Sequence, residues 1–143
     1  MILYLYIFFK KGIFLSWSSS YVVMREEISN WIRQVKEDLE KAQILFDNKK
    51  FDGTAFYCHQ AVEKGLKGLL IKKTKEFPKI HDLVRLGRLV DIDSDLLKDC
   101  EKLTFVYTET RYPDVSNVKY TKEESEKDIK IAEKVIRWID EKL

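Results

Sequence analysis

The sequence predicts an all-α fold, an antiparallel up-and-down bundle of four long helices plus one short helix. Three observations lead there. Apolar residues recur in alternating steps of three and four along most of the chain, the period of an amphipathic helix. No segment alternates apolar and polar residues long enough to make a convincing strand. Five glycines and two prolines among 143 residues leave little material for hairpins. A chain of this length fits one domain.

The first helix is expected from about Arg25 to Asn48. Ile28, Ile32, Val35, Leu39, Ala42 and Phe46 share one face of it. Asn48-Lys49-Lys50 is a short break. Phe51-Asp52-Gly53 starts the second helix, which continues to about Lys73, with Ala55, His59, Val62, Leu66, Leu69 and Leu70 on one face. Thr74 to Ile80 reads as a loop, extended around Pro78. His81 to about Val90 is the short helix. Asp91-Ile92-Asp93-Ser94 is a turn in which Asp93 or Ser94 can cap the next helix. That fourth helix carries Leu96, Cys100, Leu103 and Tyr107 on one stripe, ends near Arg111 and is stopped by Pro113. Thr121-Lys122-Glu123-Glu124 is a capping box that opens the last helix. Ser125, Ile129, Ala132, Ile136, Ile139 and Leu143 line its apolar face. The expected core is built from Ile32, Val35, Leu39, Val62, Leu66, Leu69, Leu103, Ile129 and Ile136. Trp31, Tyr57, Phe105 and Trp138 fall off the main stripes. Such a surplus of large apolar residues suggests a second buried surface, most simply a homodimer face.

Residues 1–23 do not match the rest. Met1 to Phe9 is an aromatic and aliphatic run, Lys10 and Lys11 follow it, and a serine-rich patch surrounds Trp17. The run is too short for a membrane span, and its charges lie on the wrong side for a signal peptide. Met24 is followed at once by a well-formed amphipathic pattern. Residues 1–23 are therefore expected to be an extension outside the fold, as from an upstream mis-start, with a membrane-surface anchor as the competing reading. Residues 24–143 form the helical domain.

Net charge is +2, with acids and bases interleaved, which does not announce nucleic acid, although a local basic patch remains compatible with it. Cys58 and Cys100 belong to no CxxC pair and fall at core positions. Buried, reduced thiols and a cytoplasmic location follow, with a disulfide between them left open.

The chemistry concentrates in Phe56-Tyr57-Cys58-His59-Gln60-Ala61-Val62-Glu63-Lys64-Gly65-Leu66-Lys67. His59, Glu63 and Lys67 are spaced i, i+4, i+8 and stack along nearly one line of the helix. Desolvating such groups without partners is expensive, so the line is either a structural network or part of a site. His59 with Glu63 is half of a helical metal site, but no motif supplies further ligands, so no metal and no cofactor is expected. His81-Asp82-Leu83 sits at a helix start, where Asp82 suits the first turn or a cap. Arg111-Tyr112-Pro113-Asp114 closes the fourth helix. Arg111 flanks the stripe of Leu103 and Tyr107, where a guanidinium grips a phosphate or carboxylate, or simply pairs with Asp114. A phosphate loop, a nucleophile elbow and an HExxH signature are all absent, so conventional hydrolase and kinase chemistry has no support.

In combination, the segment Phe56–Leu70, His81-Asp82-Leu83 and Arg111-Tyr112-Pro113-Asp114 resemble the HEPN family (higher eukaryotes and prokaryotes nucleotide-binding). The resemblance covers about Arg25 to Leu143. It implies a small helical bundle that commonly dimerises, with a polar cleft near the dimer interface. It also implies a minimal nucleotidyltransferase as partner, often in a toxin–antitoxin module, and a nucleotide or RNA ligand. By that resemblance Arg111, Lys67 and Lys64 contact phosphate, while His59, Gln60 and Tyr112 contact base or sugar. Glu63 and Asp114 complete the set, and His59, Glu63, Lys67 and Arg111 are expected to converge on one cleft. Many HEPN proteins are metal-independent ribonucleases whose arginine is followed four to six residues later by histidine. Here Arg111 leads to Tyr112, Pro113, Asp114, Val115, Ser116 and Asn117, and that histidine is missing. The leading expectation is therefore a nucleotide- or RNA-binding protein. The alternatives are an endoribonuclease with a displaced histidine, with Arg111 and His59 as catalytic candidates and His81 a further substitute, and a non-catalytic interaction protein.

Overall fold

The computed structural model describes residues 19–76, 78–111 and 120–143, and the side chains of 24–76, 78–108 and 120–143. Among these residues are five helices: α1 (Ser19–Asp47), α2 (Phe51–Thr74), α3 (Leu83–Leu89), α4 (Ser94–Arg111) and α5 (Lys122–Lys142). Among the described residues there is no strand. This is the bundle of four long helices and one short helix that the periodicity predicts. None of the helices in the described residues is long and apolar enough to cross a membrane.

The helix ends follow local chemistry. At the end of α1, Lys49 takes a left-handed conformation (φ 60°). Its amide donates to Phe46 O, and the Lys50 amide donates to Leu45 O, the paired bonds of a Schellman motif. At α5 the predicted capping box is present: the Thr121 hydroxyl accepts from the Glu124 amide, and the Glu124 carboxylate accepts from the Thr121 amide. α1 begins at Ser19, six residues before the expected Arg25, because the helical backbone continues through Met24 without a break. The rest of the 1–23 extension lies outside the described residues.

α2 is the centre of the fold and packs against each of the other four helices. Val62 and Leu66 are fully buried in it, and Leu69 and Leu70 nearly so. Gly65 admits α5 closely: a Cβ there would stand 2.9 Å from Ile139 Cδ1. Of the expected core, Val35, Val62, Leu66, Leu69, Leu103 and Ile136 are buried, while Ile32, Leu39 and Ile129 are half-buried against them. Cys58 and Cys100 are both buried and free. Burial, with Asp99 adding to it, pushes the Cys100 thiol up to about 12, and burial also drives that of Cys58 upward. Both are inert thiols at neutral pH.

The surplus aromatics divide. Trp31, Tyr57 and Trp138 pack against the core within the chain. Only Phe105 stands out in solvent, 66% exposed. Three of the four therefore need no second surface, because each helix buries a wider arc than its main stripe.

Candidate functional site

The helical repeat of α2 places His59, Glu63 and Lys67 one above the other, and all three are buried. Lys67 Nζ donates to Glu63 Oε1 at 2.7 Å. His59 Nδ1 lies 3.6 Å from Glu63 Oε2. Two other elements complete the cluster. α4 lays the Tyr107 ring over His59, with centroids 3.9 Å apart and planes 14° from parallel. Phe56 continues the stack against Tyr107 at 5.7 Å. From the α2–α3 connection, His81 Nδ1 reaches Glu63 Oε1 at 2.8 Å.

His81 arrives there because α3 is firmly started. The Asp82 carboxylate caps it, accepting from the amides of Val84 (2.9 Å) and Arg85 (3.4 Å). His81 is the residue just before this cap, so its backbone position is set by the helix start. Its side chain is 74% exposed, whereas that of Glu63 is 5% exposed. The cluster is thus a buried carboxylate with one basic group inside, one at the solvent boundary, and an imidazole stacked on a phenol ring. The charge-assisted contacts are of the strong class. No group of three or more His, Cys, Asp or Glu side chains among the described residues is arranged to hold a metal ion.

The other predicted site residues fall as follows. Lys64 reaches α1 instead and pairs with the buried Asp38 at 2.6 Å, where Lys41 also approaches at 3.6 Å. Gln60 is half-buried on α2. Arg111 is the last residue of α4, four residues beyond Tyr107 and so one turn further along the same face. The Arg111 side chain, Tyr112 and Asp114 lie outside the described residues. Of the four residues expected to converge on one cleft, His59, Glu63 and Lys67 lie together on α2, but buried rather than lining an open cleft.

Sequence reasoning missed the placement of His81 and Tyr107. The HDL segment was visible as a motif, but nothing local tied it to Glu63. It also missed a second buried acid. Asp128 of α5 accepts a hydrogen bond from the Tyr120 hydroxyl. Burial pushes the Asp128 carboxyl up to about 6, opposed by the Tyr120 hydrogen bond and reinforced by Glu124. Burial, that hydrogen bond and the nearby acids likewise hold the Tyr120 phenol well above its ordinary range. The readable signal was an aspartate three residues after Ser125 on the apolar face of the last helix.

A cavity of about 390 Å³ opens at the C-terminal end of α2, lined in part by Lys72, Lys73, Trp138 and Lys142. Its cations are already engaged. Lys73 pairs with Asp91 at 2.7 Å, Lys72 donates to Leu143 O at 2.6 Å, and Lys142 lies over the Trp138 ring. The convergent polar groups are at Glu63, which makes that cluster the candidate site.

The fold belongs to a known class. A model of the HEPN domain family matches residues 28–142, and the chain belongs to that family. Among solved structures, TT1696 from Thermus thermophilus is similar over 81% of this chain and 98% of its own, with 28% identity and a TM-score of 0.75. ST0689, described as an archaeal HEPN homologue, is similar over 78% of this chain and 93% of its own, with 29% identity and a TM-score of 0.68. No curated protein matches the chain.

Proposed function

We propose that this HEPN domain binds a nucleotide or single-stranded RNA at the Glu63 cluster. The observation that carries the reading is one buried carboxylate oxygen shared by Lys67 and the exposed His81, beside a histidine stacked on Tyr107. A phosphate competes with Glu63 for the same donors, and a ribose or base finds hydrogen-bonding partners in an aromatic setting. Arg111, one helical turn beyond Tyr107, is the proposed phosphate anchor at the open end. Gln60 and Tyr112 are the proposed base and sugar contacts.

The same reading makes the protein a cytoplasmic homodimer and the partner of a minimal nucleotidyltransferase in a toxin–antitoxin-like module. Family membership and the exposed Phe105 support this part. Light scattering at micromolar concentration is expected to give twice the chain mass. A neighbouring reading frame encoding a nucleotidyltransferase that co-purifies with this chain supports the pairing, and its absence removes it.

Calorimetry with mononucleotides and a short single-stranded RNA tests the site. Arg111→Ala is expected to weaken binding by about 1.5–3 kcal/mol, the cost of a lost charge-assisted contact, without unfolding the protein. Equal binding by both proteins removes Arg111 as anchor. Absence of binding by the wild type leaves the cluster a structural network.

A further inference from the structure

The cavity at the C-terminal end of α2 is separate from the Glu63 cluster. Lys72 on its wall stands about 14 Å further along the α2 axis than Glu63, and about half a revolution around it. The volume of about 390 Å³ is in the range of pockets that hold small organic molecules. The inner wall is apolar, since Leu69 of α2 and Val90 before α4 are 7% and 6% exposed. The half-buried Trp138 of α5 adds an aromatic side. The rim is basic, with Lys72 and Lys73 from the last turn of α2 and Lys142 from the last turn of α5.

The turns that carry this rim are fixed by main-chain bonds. Just beyond α2, the left-handed Lys75 (φ 61°) donates its amide to Ile71 O at 2.8 Å. Asp91, also left-handed (φ 55°), donates to Arg88 O at 3.2 Å, and the Ile92 amide closes onto Gly87 O at 3.0 Å. The cavity is therefore preformed, and a ligand has little main chain to order.

The partners of its lysines do not close it. Lys73 pairs with Asp91, but the two side chains are 50% and 82% exposed, so the pair contributes little. Lys142 lies with its ammonium 5.5 Å from the centroid of the Trp138 ring, a partner that leaves its charge unneutralised. An anion at the rim meets both ammonium groups, and an apolar ring attached to it covers Leu69, Val90 and Trp138. We propose that this cavity is a second binding site, for a small aromatic anion whose ring lies against Trp138 and whose carboxylate or phosphate is held by Lys73 and Lys142. It does not depend on ligand binding at the Glu63 cluster.

The test is a nuclear magnetic resonance titration of the isotope-labelled full chain with naphthoate, naphthyl phosphate and the neutral naphthamide. The indole N–H signal of Trp138, assigned by its loss in Trp138→Leu, is expected to shift saturably with the anions. The tighter of the two anions identifies the headgroup. Removing both exposed charges in Lys73→Gln/Lys142→Gln is expected to weaken binding by about tenfold or more. Asp91→Asn frees Lys73 from its competing carboxylate, at a left-handed position that asparagine tolerates, and is expected to tighten binding by about twofold to fivefold. Arg111→Ala is expected to leave the titration unchanged, which separates this site from the nucleotide reading. An unmoved Trp138 signal, equal binding of naphthamide, or an affinity untouched by the double lysine variant overturns the proposal.

Discussion

Glu63 and Asp128 are both buried carboxylates on core helices, yet their surroundings are opposites. Glu63 faces basic groups: Lys67 and His81 on one oxygen, His59 near the other. Asp128 has a phenol for its hydrogen-bond donor and an acid, Glu124, nearby. Burial alone raises a carboxyl group, and what decides its state is whether cations repay the lost hydration. Asp128 is left titrating at about 6. The cluster around Glu63 also has a solvent-facing member in His81, whereas Tyr120 and Asp128 join the chain just before α5 to the helix itself. One cluster reaches solvent through His81, and the other fastens the chain before α5 to that helix.

The largest expected effect breaks the first region. Glu63→Ala leaves the Lys67 ammonium buried beside a missing partner and should cost about 3–5 kcal/mol in urea unfolding. Replacing Glu63 and Lys67 together by methionine should recover most of that loss, since a buried pair contributes little over well-packed apolar groups. If the double variant is no better than the single, the cluster has a structural role that the pair does not explain. Leu66→Ala, on the same helix with no polar partner, sets the apolar scale at about 2–5 kcal/mol. It should leave ligand affinity unchanged.

The second region is probed by pH. The folded Asp128 carboxyl lies at about 6 against an ordinary 3.8, so the folded state binds the proton more tightly than the unfolded chain. The corresponding stability is fully present below pH 4 and is lost as pH rises through about 6, by about 1–3 kcal/mol. Asp128→Asn should flatten this part of the stability–pH curve. Tyr120→Phe removes the hydrogen bond that lowers the carboxyl and should carry the decline above pH 6. A wild-type curve that is flat between pH 4 and 6.5 breaks the contrast between the two acids.

The smallest expected change in stability sharpens it. His81→Ala removes an exposed partner of Glu63 and should cost under about 1 kcal/mol. A loss as large as that of Glu63→Ala would make His81 a structural member of the cluster.

Much of the fold was legible because helices are written locally. The steps of three and four in Ile28–Phe46 and Ser125–Leu143 set which faces turn inward. The capping box at Thr121 and the proline after Arg111 marked boundaries. The line of His59, Glu63 and Lys67 was equally legible, since helix geometry alone stacks residues four apart. The start of α1 at Ser19 was missed because the serine-rich stretch before Met24 carries no apolar period.

The sequence by itself determined the described helices, their buried stripes and the line of His59, Glu63 and Lys67 within the polar cluster, all consequences of contacts within a few residues. Tertiary structure alone decided who meets whom. His81 joins Glu63 across 18 residues, Lys64 meets Asp38 across 26, and Tyr107 comes from another helix to cover His59. Such pairings depend on how helices cross and where a loop returns, which the packing of whole faces sets and no local period encodes.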